Sequence, residues 1–108
     1  MVLYGIKSCD TCRKALKALQ EAGHTVQFRD IRAAPLDVAE IARFHATFGE
    51  RLINRASTTW RGLAEAERAG PPDALLAAHP TLMKRPVIDR DGRLTLGWGK
   101  DVQAVYLA

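Results

Sequence analysis

The feature that most constrains the fold is a pair of cysteines, Cys9 and Cys12, which lie where a short apolar run ends and a helical pattern begins. Residues 2–6 predict a short buried strand, and the helix predicted over 10–21 begins directly after Cys9. A helix directs the free N–H groups of its first turn and the positive end of its dipole at the preceding residue. Both stabilise a thiolate, so the sequence predicts an activated thiol at Cys9.

The spacing predicts different surroundings for the two thiols. Cys12, Leu16 and Leu19 recur at steps of three and four residues and therefore share the apolar face of the helix. Cys9 lies ahead of that face. We therefore expect an accessible, reactive Cys9 and a Cys12 that packs towards the core.

Other uses of a C-x-x-C pair are open. A structural disulfide over so short a loop constrains the unfolded chain little. A zinc site needs a second pair of ligands at close spacing, whereas the histidines His24, His45 and His79 stand far apart. Two inert, buried thiols form the strongest alternative, because free cysteine often packs as a small hydrophobic residue. We expect redox chemistry at the pair and no bound metal.

The composition is that of a globular protein, with 47% hydrophobic and 26% charged residues. The 108 residues suffice for one domain with a modest core. No apolar stretch approaches the length of a membrane span, and no signal-peptide pattern precedes the first strand. We expect a monomeric cytoplasmic protein without a membrane partner, and in the cytoplasm a C-x-x-C is more often catalytic or redox-sensing than structural.

The net charge of +4 favours anionic small molecules or an acidic protein surface as partners. The basic residues are spread along the chain and form no basic arm. We therefore do not expect direct binding of nucleic acid.

The rest of the chain predicts a mixed α/β fold. The alternating residues 25–29 form a second strand, and a β-α-β unit of this length makes the first two strands parallel. Three helices are predicted next, at about 36–48, 59–69 and 74–79. The first has an apolar stripe that includes Val38 and Ile41, and Ser57 or Thr58 caps the second. They are followed by a strand within 84–89, an Asp91–Gly92 turn, a strand at 93–97 and a helix at 100–106. This order predicts a β-α-β half and a β-β-α half around a mixed four-stranded sheet, with three helices inserted between them.

Several short motifs, in order along the chain, resemble those of one family. They are YGIK at 4–7, CDT at 9–11, NR at 54–55, TTWR at 58–61, KRPVI at 84–88, and DGRL at 91–94 with Gly97. The chain resembles the ArsC/Spx family, and most closely its YffB-like branch, whose members are often described as arsenate reductases. The resemblance implies a single thioredoxin-like domain over residues 1–108, with a helical insertion at about 36–80.

The resemblance also implies which residues act. The cysteine at the position of Cys9 is the family's nucleophile, and the proline at the position of Pro86 is typically cis and brings the preceding residue near the thiol. Arg85 would then stabilise the Cys9 thiolate and clamp an oxyanion with two parallel hydrogen bonds. Arg13 stands at a family-like position and Arg55 lies near another, so the implied anion-binding set is Arg13, Arg55, Arg85 and Pro86.

The chain departs from the family's arsenate reductases at this anion site. Those enzymes present three arginines to the oxyanion, and Arg85 matches one of them. Arg55 approximates the second, but Ala56 stands where the YffB-like pattern has a further basic residue. The third position falls at 96–98, where the chain has Leu-Gly-Trp. We therefore expect weak arsenate binding and feeble arsenate reduction.

The leading hypothesis is a thiol-dependent reductase of the ArsC/YffB type. Cys9 attacks a small oxyanion or a mixed disulfide, and Cys12 or glutathione then resolves the adduct. Glutathione or glutaredoxin is the expected electron donor. No bound cofactor is implied, because the sequence has no Gly-rich phosphate loop and no ligand cluster.

Cys12 leaves a second hypothesis open. The Spx regulators of the same family carry C-x-x-C at this place, use it as a disulfide switch and bind the alpha subunit of RNA polymerase. On that hypothesis oxidation of Cys9 and Cys12 changes the affinity for a partner and turns over no substrate. The block at 54–61 and the short C-terminus resemble the reductase branch instead.

Overall fold

The computed structural model describes residues 1–107, in which the chain forms two compact units. The first unit comprises Met1–Ala34 together with the chain from Arg85 onward, and the second comprises Pro35–Lys84. In chain order the elements are β1 (Val2–Gly5), α1 (Asp10–Glu21), β2 (Gln27–Asp30), α2 (Val38–Phe48), α3 (Thr58–Arg61), α4 (Glu65–Arg68), α5 (Pro72–Ala78), β3 (Val87–Arg90), β4 (Arg93–Leu96) and α6 (Lys100–Leu107), with 3₁₀ turns at Gly49–Leu52 and Pro80–Leu82. The second unit corresponds to the segment that the sequence predicts as an insertion.

The four strands of the first unit form one mixed sheet in the order β2-β1-β3-β4. β1 runs parallel to β2 and antiparallel to β3, and β3 and β4 form an antiparallel hairpin. The α/β fold class and its β-α-β and β-β-α halves are thus confirmed. The ends of β1 and β2 lie side by side, with Gly5 opposite Asp30, and β1 leads directly into the C-x-x-C segment.

The core of the first unit is formed by both sheet and helices. One buried cluster comprises Leu3 and Ile88 from the strands, Cys12, Ala15 and Leu19 from α1, and Val102 and Tyr106 from α6. Burial of these apolar side chains supplies the main stabilising free energy of the unit. The apolar face of α1 is therefore turned inward, as its spacing predicts.

The turn between β3 and β4 has the predicted chemistry. Asp91 and Gly92 have φ angles of 52° and 91°, both in the left-handed region that a two-residue hairpin turn of type I′ requires. The Asp89 carboxylate accepts the Gly92 N–H at 2.9 Å. The Asp91–Gly92 turn is confirmed.

Two elements begin later than predicted. β2 starts at Gln27 and not at residue 25, because it pairs only along β1, where Val2 lies opposite Gln27. α2 starts at Val38 and not at about residue 36, because Asp37 caps it. The Asp37 carboxylate accepts the Glu40 N–H at 2.7 Å, and the Glu40 carboxylate accepts the Asp37 N–H at 3.0 Å.

The apolar stripe predicted on α2 is partly wrong. Val38 is 83% exposed, whereas Ile41 and Phe44 are buried. The buried face of α2 is therefore set by Phe44, which lies one turn after Ile41.

The prediction of a single helix over 59–69 is also wrong, because this segment forms two single-turn helices, α3 and α4. The Ser57 hydroxyl caps α3 by accepting the Trp60 N–H at 3.1 Å, and Gly62 ends that helix. Ala64 is extended, with its N–H donating to the Glu67 carboxylate at 3.3 Å, and this starts α4. The described part of the second unit therefore has four helices, α2 to α5, where three were predicted.

Candidate functional site

Cys9 lies at the junction between β1 and α1. It is the N-cap residue of α1, with extended backbone angles, and its N–H donates to the Ile6 carbonyl at 3.0 Å. Its carbonyl accepts the Arg13 N–H, the first bond of the helix. The thiol of Cys9 is partly exposed, whereas that of Cys12 is fully buried, which is the asymmetry that the spacing predicts.

The surroundings of Cys9 stabilise its thiolate. Burial by itself raises the pKa of Cys9, but hydrogen bonding from the Cys12 backbone, the Cys12 thiol and the Arg85 guanidinium lowers it. The positive charge of Arg85 acts in the same direction. Together these contacts hold the pKa of Cys9 below the ordinary value of a cysteine.

Cys12 has the opposite character. Burial first of all, and then the hydrogen bond to Cys9 and the charge of the Cys9 thiolate, raise the pKa of Cys12 to about 12, although a hydrogen bond from the Ile6 backbone and the charge of Arg85 oppose the rise. The first proton that the pair loses therefore comes from Cys9, and Cys12 stays a neutral thiol beside the Cys9 thiolate.

Cys12 packs directly against the backbone of β1 at Gly5. A Cβ atom at position 5 would lie 2.6 Å from the Cys12 sulfur and 3.2 Å from its Cβ. Real Cβ contacts are longer, so only glycine allows α1 to approach the strand this closely. Gly5 was missed as a site residue in the sequence, although a glycine inside a strand pattern is a signal of such close approach.

Arg85 and Pro86 are joined by a cis peptide bond, which the family resemblance implies. Pro86 is fully buried and accepts the Gly97 N–H at 2.8 Å. The hydrogen bond between Gly97 and Pro86 places the end of β4 beside Pro86. The third arginine of the family is expected at this end of β4. At that position the chain has Gly97, with a φ of 82°, and Trp98, which stacks on Tyr106 at a centroid distance of 6.5 Å.

The other two predicted arginines have different surroundings. Arg13 is exposed on α1 and pairs with Asp10, one turn earlier. Arg55 belongs to the second unit, where its guanidinium lies 5.6 Å from the Trp60 ring centroid and 3.9 Å from the Glu50 carboxylate. Arg85 lowers the pKa of Cys9 both by hydrogen bonding and by its positive charge. The anion-binding roles of Arg13 and Arg55 stay predictions.

A further side chain that the sequence analysis missed is Asp30. Its carboxylate accepts the backbone N–H of Lys7, two residues before Cys9. An acidic residue at the end of a strand parallel to β1 is the sequence signal, but the partner is evident only once the two strands are paired.

The histidines are engaged separately. Their contacts are His24 with the Tyr106 carbonyl at 2.8 Å, His45 with Asp73 at 2.8 Å, and His79 with Glu67 at 3.5 Å. Within residues 1–107, no three or more His, Cys, Asp or Glu side chains are grouped so that they could hold a metal ion. In the same range, no helix combines the length and the apolar character needed to cross a membrane.

Brief iodoacetamide treatment at neutral pH should label Cys9 before Cys12. The thiolate is the nucleophile, and only Cys9 is both partly exposed and lowered in pKa. Peptide mapping by mass spectrometry measures the order, and urea-unfolded protein, in which both thiols are exposed, serves as the control. Labelling of Cys12 first would contradict the electrostatic assignment.

Comparison with known families matches residues 4–104 to the ArsC family. A solved structure of a protein named YffB shares 39% identity and a TM-score of 0.91, covering 99% of this chain and 98% of that one. A solved structure described as an arsenate reductase (ArsC) related protein from Brucella melitensis also shares 39% identity, with a TM-score of 0.77 and coverage of 97% and 92%. The global transcriptional regulator Spx of Bacillus subtilis is 31% identical, over 94% of this chain and 82% of its own length.

Proposed function

The chain belongs to the ArsC family, and on that premise we propose that it is a cytoplasmic thiol-dependent reductase with Cys9 as nucleophile. The observation that carries the proposal is the set of donors around one sulfur. The Cys12 N–H, the Cys12 thiol and the Arg85 guanidinium converge on Cys9 and favour its thiolate. A lowered thiol pKa at a helix start is the usual arrangement of a cysteine that reacts with disulfides or oxyanions.

We propose a glutathione mixed disulfide as the preferred substrate class. The Cys9 thiolate attacks one sulfur of the disulfide, the S–S bond breaks, and the departing thiolate takes up a proton. Cys9 is left in a new mixed disulfide, and a second thiol attacks it to release reduced Cys9. The departing thiolate needs less stabilisation than an arsenic oxyanion, which suits a site where Arg85 favours the Cys9 thiolate and positions 96–98 carry no arginine.

The state of Cys12 bears on which thiol completes the cycle. The Cys9 thiolate is one cause of the raised pKa of Cys12, and this cause disappears once Cys9 is in a mixed disulfide. Burial remains, because Cys12 lies in the core against Gly5. We therefore favour glutathione or glutaredoxin as the resolving thiol, with Cys12 acting first as a hydrogen-bond donor to Cys9.

The charge distribution supports an anionic substrate. Ten of the sixteen Lys and Arg residues but only six of the twelve Asp and Glu residues belong to the first unit, so the formal charge of +4 belongs to the unit that carries Cys9. A positive field of this kind raises the encounter rate with anions such as glutathione conjugates.

Steady-state kinetics on two substrates tests the proposal. We expect reduction of a glutathione mixed disulfide by glutathione or glutaredoxin, and at most feeble reduction of arsenate under the same conditions. Cys9→Ser should abolish both reactions, because it removes the nucleophile. Cys12→Ala should retain turnover with glutathione, since an external thiol resolves the adduct.

Efficient arsenate turnover at micromolar substrate would show that the number of arginines is the wrong criterion for substrate choice. If Cys12→Ala lost all turnover while its Cys9 still reacted with iodoacetamide, Cys12 would be the thiol that releases Cys9 from the mixed disulfide. Absence of turnover on both substrates would contradict the proposal that the protein is a reductase.

A redox-sensing regulator is the second candidate, favoured by the C-x-x-C pair and by the similarity to Spx. On that candidate, the Cys9–Cys12 disulfide changes the affinity for the alpha subunit of RNA polymerase. Diamide-dependent binding to the alpha C-terminal domain, absent in Cys12→Ala, together with no turnover, would favour the regulator over the reductase.

A further inference from the structure

The turn that carries Cys9 is held by a side chain from the neighbouring strand. Residues Ile6–Cys9 form a β-turn, closed by the bond from the Cys9 N–H to the Ile6 carbonyl. Within this turn the Lys7 N–H donates to Oδ2 of Asp30 at 3.0 Å. Asp30 ends β2 and lies opposite Gly5, which ends β1. The carboxylate therefore joins the turn to the adjacent strand end.

The Asp30 carboxylate is fixed on its own side as well. Its Oδ1 accepts the N–H groups of Arg32 and Ala33, at 2.8 and 3.2 Å. The hydrogen bond from the Lys7 backbone, followed by those from Arg32 and Ala33 and by the charge of Lys7, holds the pKa of Asp30 below its ordinary value despite some desolvation. Asp30 is thus an anion with backbone donors on both oxygens.

We propose that Asp30 is a positioning residue for Cys9. By anchoring the Ile6–Cys9 turn to the end of β2, it holds the Cys9 sulfur where the Cys12 N–H and the Arg85 guanidinium reach it. Asp30 acts through backbone N–H groups and not through contact with the sulfur. The inference deepens the proposed function and rests on it, because it takes Cys9 as the reacting atom.

The charge of Asp30 and its anchoring of the turn have opposite effects on the pKa of Cys9, and this makes the inference testable. Removing a nearby negative charge favours a thiolate, so the loss of the Asp30 charge alone would lower the pKa of Cys9. Releasing the turn weakens the hydrogen bonds to the sulfur, so the loss of positioning would raise that pKa. The sign of the change therefore identifies the role.

The experiment measures the rate of Cys9 alkylation by iodoacetamide as a function of pH, followed by mass spectrometry. Asp30→Ala should raise the pKa of Cys9 and lower the rate at neutral pH by about three- to tenfold, the effect of roughly one lost hydrogen bond. Asp30→Asn keeps one of the two acceptor oxygens without the charge, so the pKa of Cys9 should rise less than in Asp30→Ala. A pKa of Cys9 that falls or is unchanged in Asp30→Ala would overturn the inference.

Asp89→Ala is the matched control. The Asp89 carboxylate also accepts a backbone N–H, from Gly92, but it lies opposite Val2 at the start of β1, whereas Cys9 follows the end of that strand. This variant removes the same chemical group from the same unit and should leave the pH profile of Cys9 unchanged. A profile shifted as in Asp30→Ala would overturn the inference, since it would show a general effect of destabilisation.

Two variants of Lys7 test the same hydrogen bond from the donor side, should Asp30→Ala not fold. Lys7→Pro removes the N–H, and proline is common at this second position of a β-turn. Lys7→Ala removes the same charge and keeps the N–H. The pKa of Cys9 should be higher in Lys7→Pro than in Lys7→Ala, and equal values would overturn the inference. Alkylation needs no substrate, so these outcomes are distinct from a failure of the reductase assay.

Discussion

Arg85→Ala is expected to raise the pKa of Cys9 and to weaken the binding of sulfate or arsenate by about ten- to a hundredfold. Hydrogen bonding from the guanidinium and its positive charge both lower the pKa of Cys9. Its loss removes a charge-assisted hydrogen bond from the thiolate and from any anion that approaches it. Such a bond contributes about 1.5–3 kcal/mol, and about 1.4 kcal/mol corresponds to a factor of ten. Arg85→Lys keeps the charge without the planar pair of donors, so we expect an intermediate effect.

Thiol titration and anion-induced chemical shifts measure these two effects. Arg93→Ala is the matched control, because Arg93 is an exposed arginine of the same unit at the start of β4. It should change neither the pKa of Cys9 nor the affinity for anions. Equal behaviour of the two alanine variants would contradict the role of Arg85.

Gly5→Ala is expected to destabilise the protein by about 1–3 kcal/mol, the usual effect of an extra carbon in a packed core. The added methyl group would lie 2.6 Å from the sulfur of Cys12, which is fully buried. Either the sulfur rotates away from Cys9 or α1 moves off β1. A loss of 1 kcal/mol lowers the melting temperature of a domain of about this size by roughly 4–8 °C, and calorimetry measures the change.

A double-mutant cycle shows whether Cys12 is the group in conflict. In Gly5→Ala with Cys12→Ala the sulfur is absent, so the double variant should lose less stability than the sum of the two single variants. Gly62→Ala is the control, because a Cβ there would meet only ordinary contacts, the nearest at 3.5 Å from the Thr58 carbonyl. If the stability losses of the two single variants simply added up in the double variant, the added methyl group would clash with a group other than the Cys12 sulfur.

Local chemistry explains the part of the fold that could be predicted from the sequence. The apolar spacing of Cys12 and Leu19 determines the buried face of α1, and the Asp91–Gly92 pair determines the turn between β3 and β4. Both patterns involve residues within two helical turns or one hairpin, and their backbone preferences do not depend on the rest of the chain.

The errors arise where such local signals compete. The helical composition of 59–69 predicts one helix, but Gly62 ends the first turn and the Ala64–Glu67 hydrogen bond starts a second one. Val38 has the right spacing for the α2 stripe, yet it directly follows the capping residue Asp37 and is exposed. Periodicity alone does not distinguish such an end position from the interior of a helix.

The candidate site depends more on distant pairings. The Lys7–Asp30 hydrogen bond joins residues separated by 23 positions, and it requires the register of β1 against β2. The contact of Gly5 with Cys12 similarly requires α1 to pack on its own strand. The pairing of Arg13 with Asp10, by contrast, joins residues one helical turn apart, so it depends on α1 alone.

Each of the two units carries its own tryptophan, which gives the protein two separate fluorescent reporters. Trp98 stacks on Tyr106 and packs against the core that contains Cys12, while Trp60 lies in the second unit beside the guanidinium groups of Arg55 and Arg68. The chain has two tryptophans in all, so a single Trp→Phe replacement leaves an emission signal from one unit only. Cooperative unfolding would then give coincident transitions for the two indoles, and independent unfolding would give two.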